Sequence, residues 1–228
     1  MKFKILFFVL FIFVSNTLPA REITPESVGS FRRNLERRYH RADFPYVNLP
    51  LVIEHVSYWH LLGIKENWQE IPLGTRIEIY GFFKKAKLEF FFWLILLESG
   101  GQKKALSHKG ARGLFQVMPS SAKNLCNLDP DHLWDPISNA LCSVQILEHC
   151  RRFGGWQAQA VCYNGQLKSC PLKGYQRCIR ERYLAGEKKL LGTLTYPIKV
   201  WLYCQIGKEF FLDDLNVEPI ENFLVSEL

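Results

Sequence analysis

The chain has 228 residues, a formal net charge of +7, 48% hydrophobic and 22% charged side chains, and seven cysteines. An excess of cations favours polyanionic surroundings: nucleic acid, a membrane surface or an acidic cell-wall polymer. The export-like start described next argues against nucleic acid, and no nucleic-acid partner is expected.

Residues 1–20 read as a signal peptide. Lys2 and Lys4 are followed by ten uninterrupted apolar residues, Ile5 to Val14, and by a polar, small-residue exit ending at Ala20. Ten apolar residues fall short of the ~20 needed to span a bilayer, so no stable span is expected after cleavage. The alternative is an uncleaved N-terminal anchor. Removal of the signal leaves 27 basic against 22 acidic residues, a net +5. About 208 residues suffice for one well-buried domain with extensions.

Residues 21–81 give mixed signals. Val52, Ile53, Val56 and Trp59 have helical spacing, but Pro45, Pro50 and Pro72 interrupt it, which predicts an irregular, partly helical N-terminal extension. Residues 82–98, FFKKAKLEFFFWLILLE, contain no Gly or Pro. The apolar run Phe90 to Leu97 fits a buried strand; the length of the whole segment and its lysine-rich start favour one helix ending inside the protein. Gly100 and Gly101 supply its stop.

Asp135-Pro136 predicts a cap followed by proline at a first helical position, with Ile137, Ala140, Leu141, Val144 and Leu147 on one face. Gly154-Gly155 ends that helix. Further helices are predicted over Trp156 to Tyr163 and Tyr196 to Gln205. No alternation of β-branched residues supports a sheet, so the fold class is mainly α. Residues 207–228 form an acidic tail: Glu209, Asp213, Asp214, Glu218, Glu221 and Glu227 oppose Lys208 alone.

The cysteines are 126, 142, 150, 162, 170, 178 and 204. In an oxidising compartment they allow up to three disulfides and one leftover thiol, against the alternative of buried free thiols. Cys126–Cys142 is the preferred bridge, since it closes a loop rich in Asp and Pro. His108 and the other histidines show no metal-ligand spacing and no calcium loop is present, so no cofactor is expected.

One stretch carries chemistry: ESGGQKKALSHKGARGLFQVMP at 98–119. Glu98 ends the apolar run, and no other acid follows until Asp129. A carboxyl at the buried end of an apolar helix is poorly solvated, which raises its pKa and keeps a proton available for a leaving-group oxygen. A lone glutamate ending a helix is more often a solvated surface group; the spacing around this one narrows the choice. Ser99, Ala105, Ser107, Gly110, Ala111, Gly113, Leu114, Gln116, Met118 and Pro119 match, without a gap, the pattern E-S followed by A-x-S-x-x-G-A-x-G-L-M-Q-x-M-P. The chain thereby resembles the soluble lytic transglycosylase (SLT) family, with Phe115 in place of the usual Met. LWDPISNA at 133–140, WQAQAVCYNGQ at 156–166 and Tyr196 with Val200 extend the resemblance over roughly residues 82 to 205, which sets the expected catalytic domain at 82–206. Cys162, Gly165-Gln166, Gly192 and Pro197 depart from it.

The resemblance implies a lysozyme-like, goose-type helical domain that binds peptidoglycan glycan strands in the periplasm or cell envelope of a bacterium. It implies Glu98 as the acid that splits the link between N-acetylmuramic acid and N-acetylglucosamine with formation of a 1,6-anhydro end. It also gives roles to neighbours. Ser99 either orients Glu98 or bonds its own helix. Gln116 contacts sugar. Phe115 and Met118 either wall the cleft or pack in the core. Tyr163 holds Glu98 or the acetamido group, Asn164 ties its loop together, and Tyr196 either reaches the cleft or is structural. The cations Lys103, Lys104, Lys109, Arg112 and Lys123 either meet stem-peptide carboxylates or are solvated. The alternatives are a goose-type lysozyme using water, and a non-catalytic peptidoglycan-binding scaffold. The resemblance also leaves room for partners in an envelope secretion or conjugation apparatus.

Overall fold

The structure is a computed structural model that describes residues 21–39, 53, 56–165 and 191–215. The signal segment, Cys170, Cys178 and the tail beyond residue 215 lie outside the described residues. Nine α-helices are described: α1 Pro25–Tyr39, α2 Tyr58–Gln69, α3 Leu73–Lys85, α4 Glu89–Phe92, α5 Leu94–Ser99, α6 Pro119–Cys126, α7 Pro136–Arg151, α8 Trp156–Tyr163 and α9 Leu191–Phe210. Short 3₁₀ turns occupy Pro130–Trp134 and Asp213–Leu215. The described residues contain no β-strand, only two isolated bridges in the loop after α5. The mainly α reading therefore holds.

The N-terminal extension is partly helical, but not as the spacing of Val52, Ile53, Val56 and Trp59 pointed: Val56 and Ser57 are non-helical, and α1, α2 and α3 belong to the same core as the rest. Thr24 and Ser27 cap α1 reciprocally, each side chain accepting from the other's backbone N–H. Ser57 caps α2 by accepting from the His60 N–H. The apolar side of α2 buries Leu61, Ile64 and Trp68. Trp68 meets Phe92, Trp93 and Phe211 at ring-centroid distances of 6.0, 6.1 and 5.9 Å. A division at residue 81/82 drawn from sequence similarity falls inside α3.

The single helix expected over 82–98 is a correction. The chain breaks there into α3, α4 and α5. Lys87 sits in the left-handed region at φ 56°, with the Leu88 N–H bonded to the Phe83 carbonyl and the Lys87 N–H to that of Lys84. This is a Schellman-type stop, and the burial of Leu88 and Phe83 together supplies its hydrophobic contact. A lysine in that conformation leaves no mark in the sequence, because glycine is the residue that normally signals it. The apolar run is explained by what encloses it: Phe91 through Leu96 are each 2% exposed or less. α5 ends as expected, with Gly100 left-handed at φ 59°.

Asp135 caps α7 through its Oδ2, which accepts from the Ser138 N–H at 2.8 Å, and Pro136 follows at the first helical position. α7 is a central support. It packs against α3, α6 and α8, while α9 packs against α4, α5 and α8. The Cys126–Cys142 disulfide joins α6 to α7, as the spacing favoured, and Cys150–Cys162 joins α7 to α8. Cys204 is a buried free thiol. α9 is longer than the span predicted. Gly207 allows it to lie against α4 and α5, because a Cβ there would stand 2.0 Å from the Trp93 ring.

Candidate active site

Glu98 stands in the last turn of α5, half-buried beneath the surface that α9 closes. The hydroxyl of Tyr196, from α9, donates to its Oε1. Burial pushes the Glu98 carboxyl up to about 7, against the pull of the Tyr196 hydrogen bond and of the Lys199 ammonium, which both favour the charged form. Burial and the neighbouring Glu98 charge together raise Tyr196, which therefore stays a donor. With Oε1 fixed by Tyr196, the acidic proton belongs on Oε2, the oxygen left to meet a ligand. Among the described residues no carboxylate adds to this shift.

The acids that end the acid-free interval have structural work. Asp129 accepts from the Asp131 N–H, Arg112 donates to Asp131 at 2.9 Å, and Asp135 caps α7. Among the described residues, no group of three or more His, Cys, Asp or Glu is placed to hold a metal ion.

The matched phrase between Glu98 and Pro119 is above all a loop architecture. The Ser107 hydroxyl accepts from the Ala111 N–H at 2.9 Å. The Ala105 carbonyl accepts from the Gly113 N–H at 2.9 Å and from Gln116 Nε2 at 3.0 Å. Within this loop Gly113 is the tightest position. Its φ is 73°, and a Cβ would stand 2.4 Å from the Leu133 carbonyl oxygen and 2.5 Å from Asn139 Nδ2. Met118 is extended just ahead of α6, and Pro119 occupies the first position of that helix.

The residues expected to touch sugar divide into two groups. Gln116 is half-buried at φ 50°, and Nε2 also donates to the Gly113 carbonyl. Both amide hydrogens thus hold the loop, leaving Oε1 as its acceptor for a ligand. Met118 is 37% exposed and free to form a wall. Phe115, by contrast, is fully buried and stacks on Phe83 at 5.1 Å, so the core-packing alternative holds and a cleft wall does not. Ser99 donates to the Ile95 carbonyl at 3.0 Å and accepts from the Gly101 N–H at 3.2 Å, the helix-bonding alternative. Asn164 is the exposed C-cap of α8, its N–H bonded to the Ala160 carbonyl.

Of the two tyrosines, Tyr196, expected either to reach the cleft or to be structural, is the one that reaches Glu98. The Tyr163 hydroxyl donates to the Phe115 carbonyl at 2.7 Å, with Ser143 Oγ at 3.1 Å. It lies near enough to Glu98 to feel its charge, which with burial raises Tyr163 strongly, but Tyr196 is the residue that holds the acid.

Three residues without an expected role are built into the site. Asn139 is fully buried. Its Nδ2 donates to the Arg112 carbonyl at 2.8 Å and the Leu133 carbonyl at 2.9 Å, and its Oδ1 accepts from the Phe115 N–H at 2.8 Å. The D-P-x-x-N spacing holds the signal for it: four residues past the Asp135 cap, a helical side chain points back into the protein. Asn67, on α2, donates to the Gly100 carbonyl at 3.1 Å, directly after Glu98 and Ser99. Lys199 lies one turn beyond Tyr196 on α9.

The described domain is thus mainly helical, with a raised carboxyl at the end of an apolar helix faced by a tyrosine from α9. Residues 83–169 match the family model described as the transglycosylase SLT domain, a family whose members are lytic transglycosylases. Searches among curated proteins and among solved structures gave no match. No helix among the described residues is long and apolar enough to cross a membrane.

Proposed function

We propose that the chain is a peptidoglycan lytic transglycosylase, exported by residues 1–20 and acting in the bacterial envelope through the domain at 82–206. The observation that carries this reading is the solitary acid: Glu98 is raised to about 7 by burial, held at one oxygen by Tyr196, and adjoined by no carboxylate among the described residues. Ordinary glycosidases use two carboxylates, one as acid and one as nucleophile or base. A single acid suffices when the substrate provides its own nucleophile.

In the proposed reaction, Glu98 Oε2 gives its proton to the oxygen joining N-acetylmuramic acid C1 to N-acetylglucosamine. The C1–O bond breaks and the N-acetylglucosamine hydroxyl leaves. The 6-hydroxyl of the muramic sugar bonds to C1, and its proton returns to Glu98. Bonds and protons balance, no water is consumed, and the product ends in 1,6-anhydro-N-acetylmuramic acid. An intramolecular hydroxyl has a high effective concentration, which replaces a carboxylate-positioned water.

The test is product analysis on purified peptidoglycan with the wild type and Glu98→Gln. Anhydro-ended fragments are expected from the wild type alone. Reducing ends would instead mark a lysozyme-type hydrolase, equal release by both proteins would remove Glu98 from the chemistry, and no release by either would leave a glycan-binding scaffold.

A further inference from the structure

Lys199 is half-exposed on α9, three residues past Tyr196 and therefore on the same side of the helix. Tyr196 touches Glu98, so the Lys199 side chain leaves the helix beside the acid, near enough for its ammonium to act on the Glu98 charge. The other titratable groups facing this point are Tyr196 itself and, from α8, Tyr163. Both stay neutral. No Asp or Glu among the described residues lies within ion-pair distance of Lys199, whereas Arg21, Lys65 and Arg112 each have such a partner. Glu98 cannot serve as its permanent counter-ion, because an acid that must donate a proton spends its working state uncharged.

We propose that Lys199 is a substrate-positioning residue whose ammonium pairs with a carboxylate of the peptide carried by the muramic sugar, so that peptide-bearing strands are selected at the bond-cleaving position. This rests on the reading of the chain as a peptidoglycan enzyme. The sugars of the strand are uncharged; the anions of the substrate sit on its peptide. The sugar whose C1 would face Glu98 is the one that bears that peptide, so its carboxylates are the anions a cation beside Glu98 can meet. Pairing has a second effect. A neutralised Lys199 no longer favours the charged form of Glu98, so binding of the correct strand loads the proton more fully onto the acid.

Binding of purified peptidoglycan by co-sedimentation tests this, in a Glu98→Gln background so that no strand is cut. The probes are native peptidoglycan and the same material with its peptide carboxylates converted to amides. Amidation is expected to weaken binding about fivefold more when Lys199 is present than after Lys199→Met, a size set by one partly buried charge-assisted contact. Lys199→Arg is expected to restore the difference, and Lys85→Met, at the exposed end of α3, to leave it unchanged. Equal losses on amidation with and without Lys199 would overturn the proposal. Because binding is read without turnover, failure here is distinct from absence of anhydro product. With active protein, the falling limb of kcat against pH is expected above that of kcat/KM, and Lys199→Met to bring the two together. A gap that persists in Lys199→Met also overturns it.

Discussion

The Tyr196 hydroxyl donates to Oε1 of Glu98, joining the last turn of α5 to the opposite wall formed by α9. The bond determines which carboxyl oxygen faces the substrate, and it opposes the desolvation that raises the acid. Tyr196→Phe keeps the ring and removes that contact. We expect kcat to fall ~10–100-fold through lost orientation of the acid. The falling limb of the pH profile should move to higher pH, since a bond favouring the charged form is gone. Release of anhydro-ended fragments across pH 5 to 9 reads both effects. An unchanged profile would mean that the tyrosine is only structural.

The raised acid makes stability depend on pH. A carboxyl at about 7 in the folded chain and at the ordinary 4.5 when unfolded binds its proton more tightly when folded. The cost of this site is therefore absent below about pH 4.5, grows as pH rises, and is complete above about pH 7. Glu98→Gln removes it. The variant should exceed the wild type in stability by roughly 1–3 kcal/mol at pH 8, with a smaller margin at pH 5. Urea unfolding at the two pH values measures the difference.

Asn139 satisfies two loop carbonyls and the Phe115 N–H from a fully buried position. Asn139→Leu leaves those groups unpaired and should destabilise the domain by about 3 kcal/mol or more. Gly113→Ala meets the Leu133 carbonyl and a left-handed backbone together, and should cost at least about 2 kcal/mol. Thermal unfolding of both variants checks this. A loss of activity at unchanged stability would show instead that the loop residues act on the ligand.

Cys126–Cys142 closes a sixteen-residue separation between α6 and α7. Replacing both cysteines by serine should lower stability by about 3 kcal/mol on the chain-entropy account. Denaturant midpoints of the double variant measure it, and an equal drop in the wild type on reduction would tie the effect to the bond itself.

The sequence made α7, α8 and the stop of α5 readable because Asp135-Pro136 and Gly100-Gly101 are local signals of caps and ends. It made the acid readable because an exact spacing surrounds Glu98. It did not reveal the break at Lys87, where an ordinary side chain adopts a glycine-like turn and burial of Leu88 and Phe83 accompanies it. It also pointed to Tyr163, and not Tyr196, as the residue that holds the acid. Tyr163 and Tyr196 both face Glu98, and which of them reaches it depends on how α8 and α9 pack, a tertiary relation with no sequence period. Phe115 looked like a cleft residue because the motif fixes its place in the loop but not the direction of its ring.

The indole of Trp68 lies across Phe92 and Trp93, and its neighbour Asn67 braces the chain just past the acid. An expression fragment trimmed to residues 83–169 would thus retain the proton donor while losing its roof, its tyrosine and its brace. The stripped aromatic face should make such a fragment sticky and prone to precipitate, so the N-terminal helices are part of the working tool and not a handle attached to it.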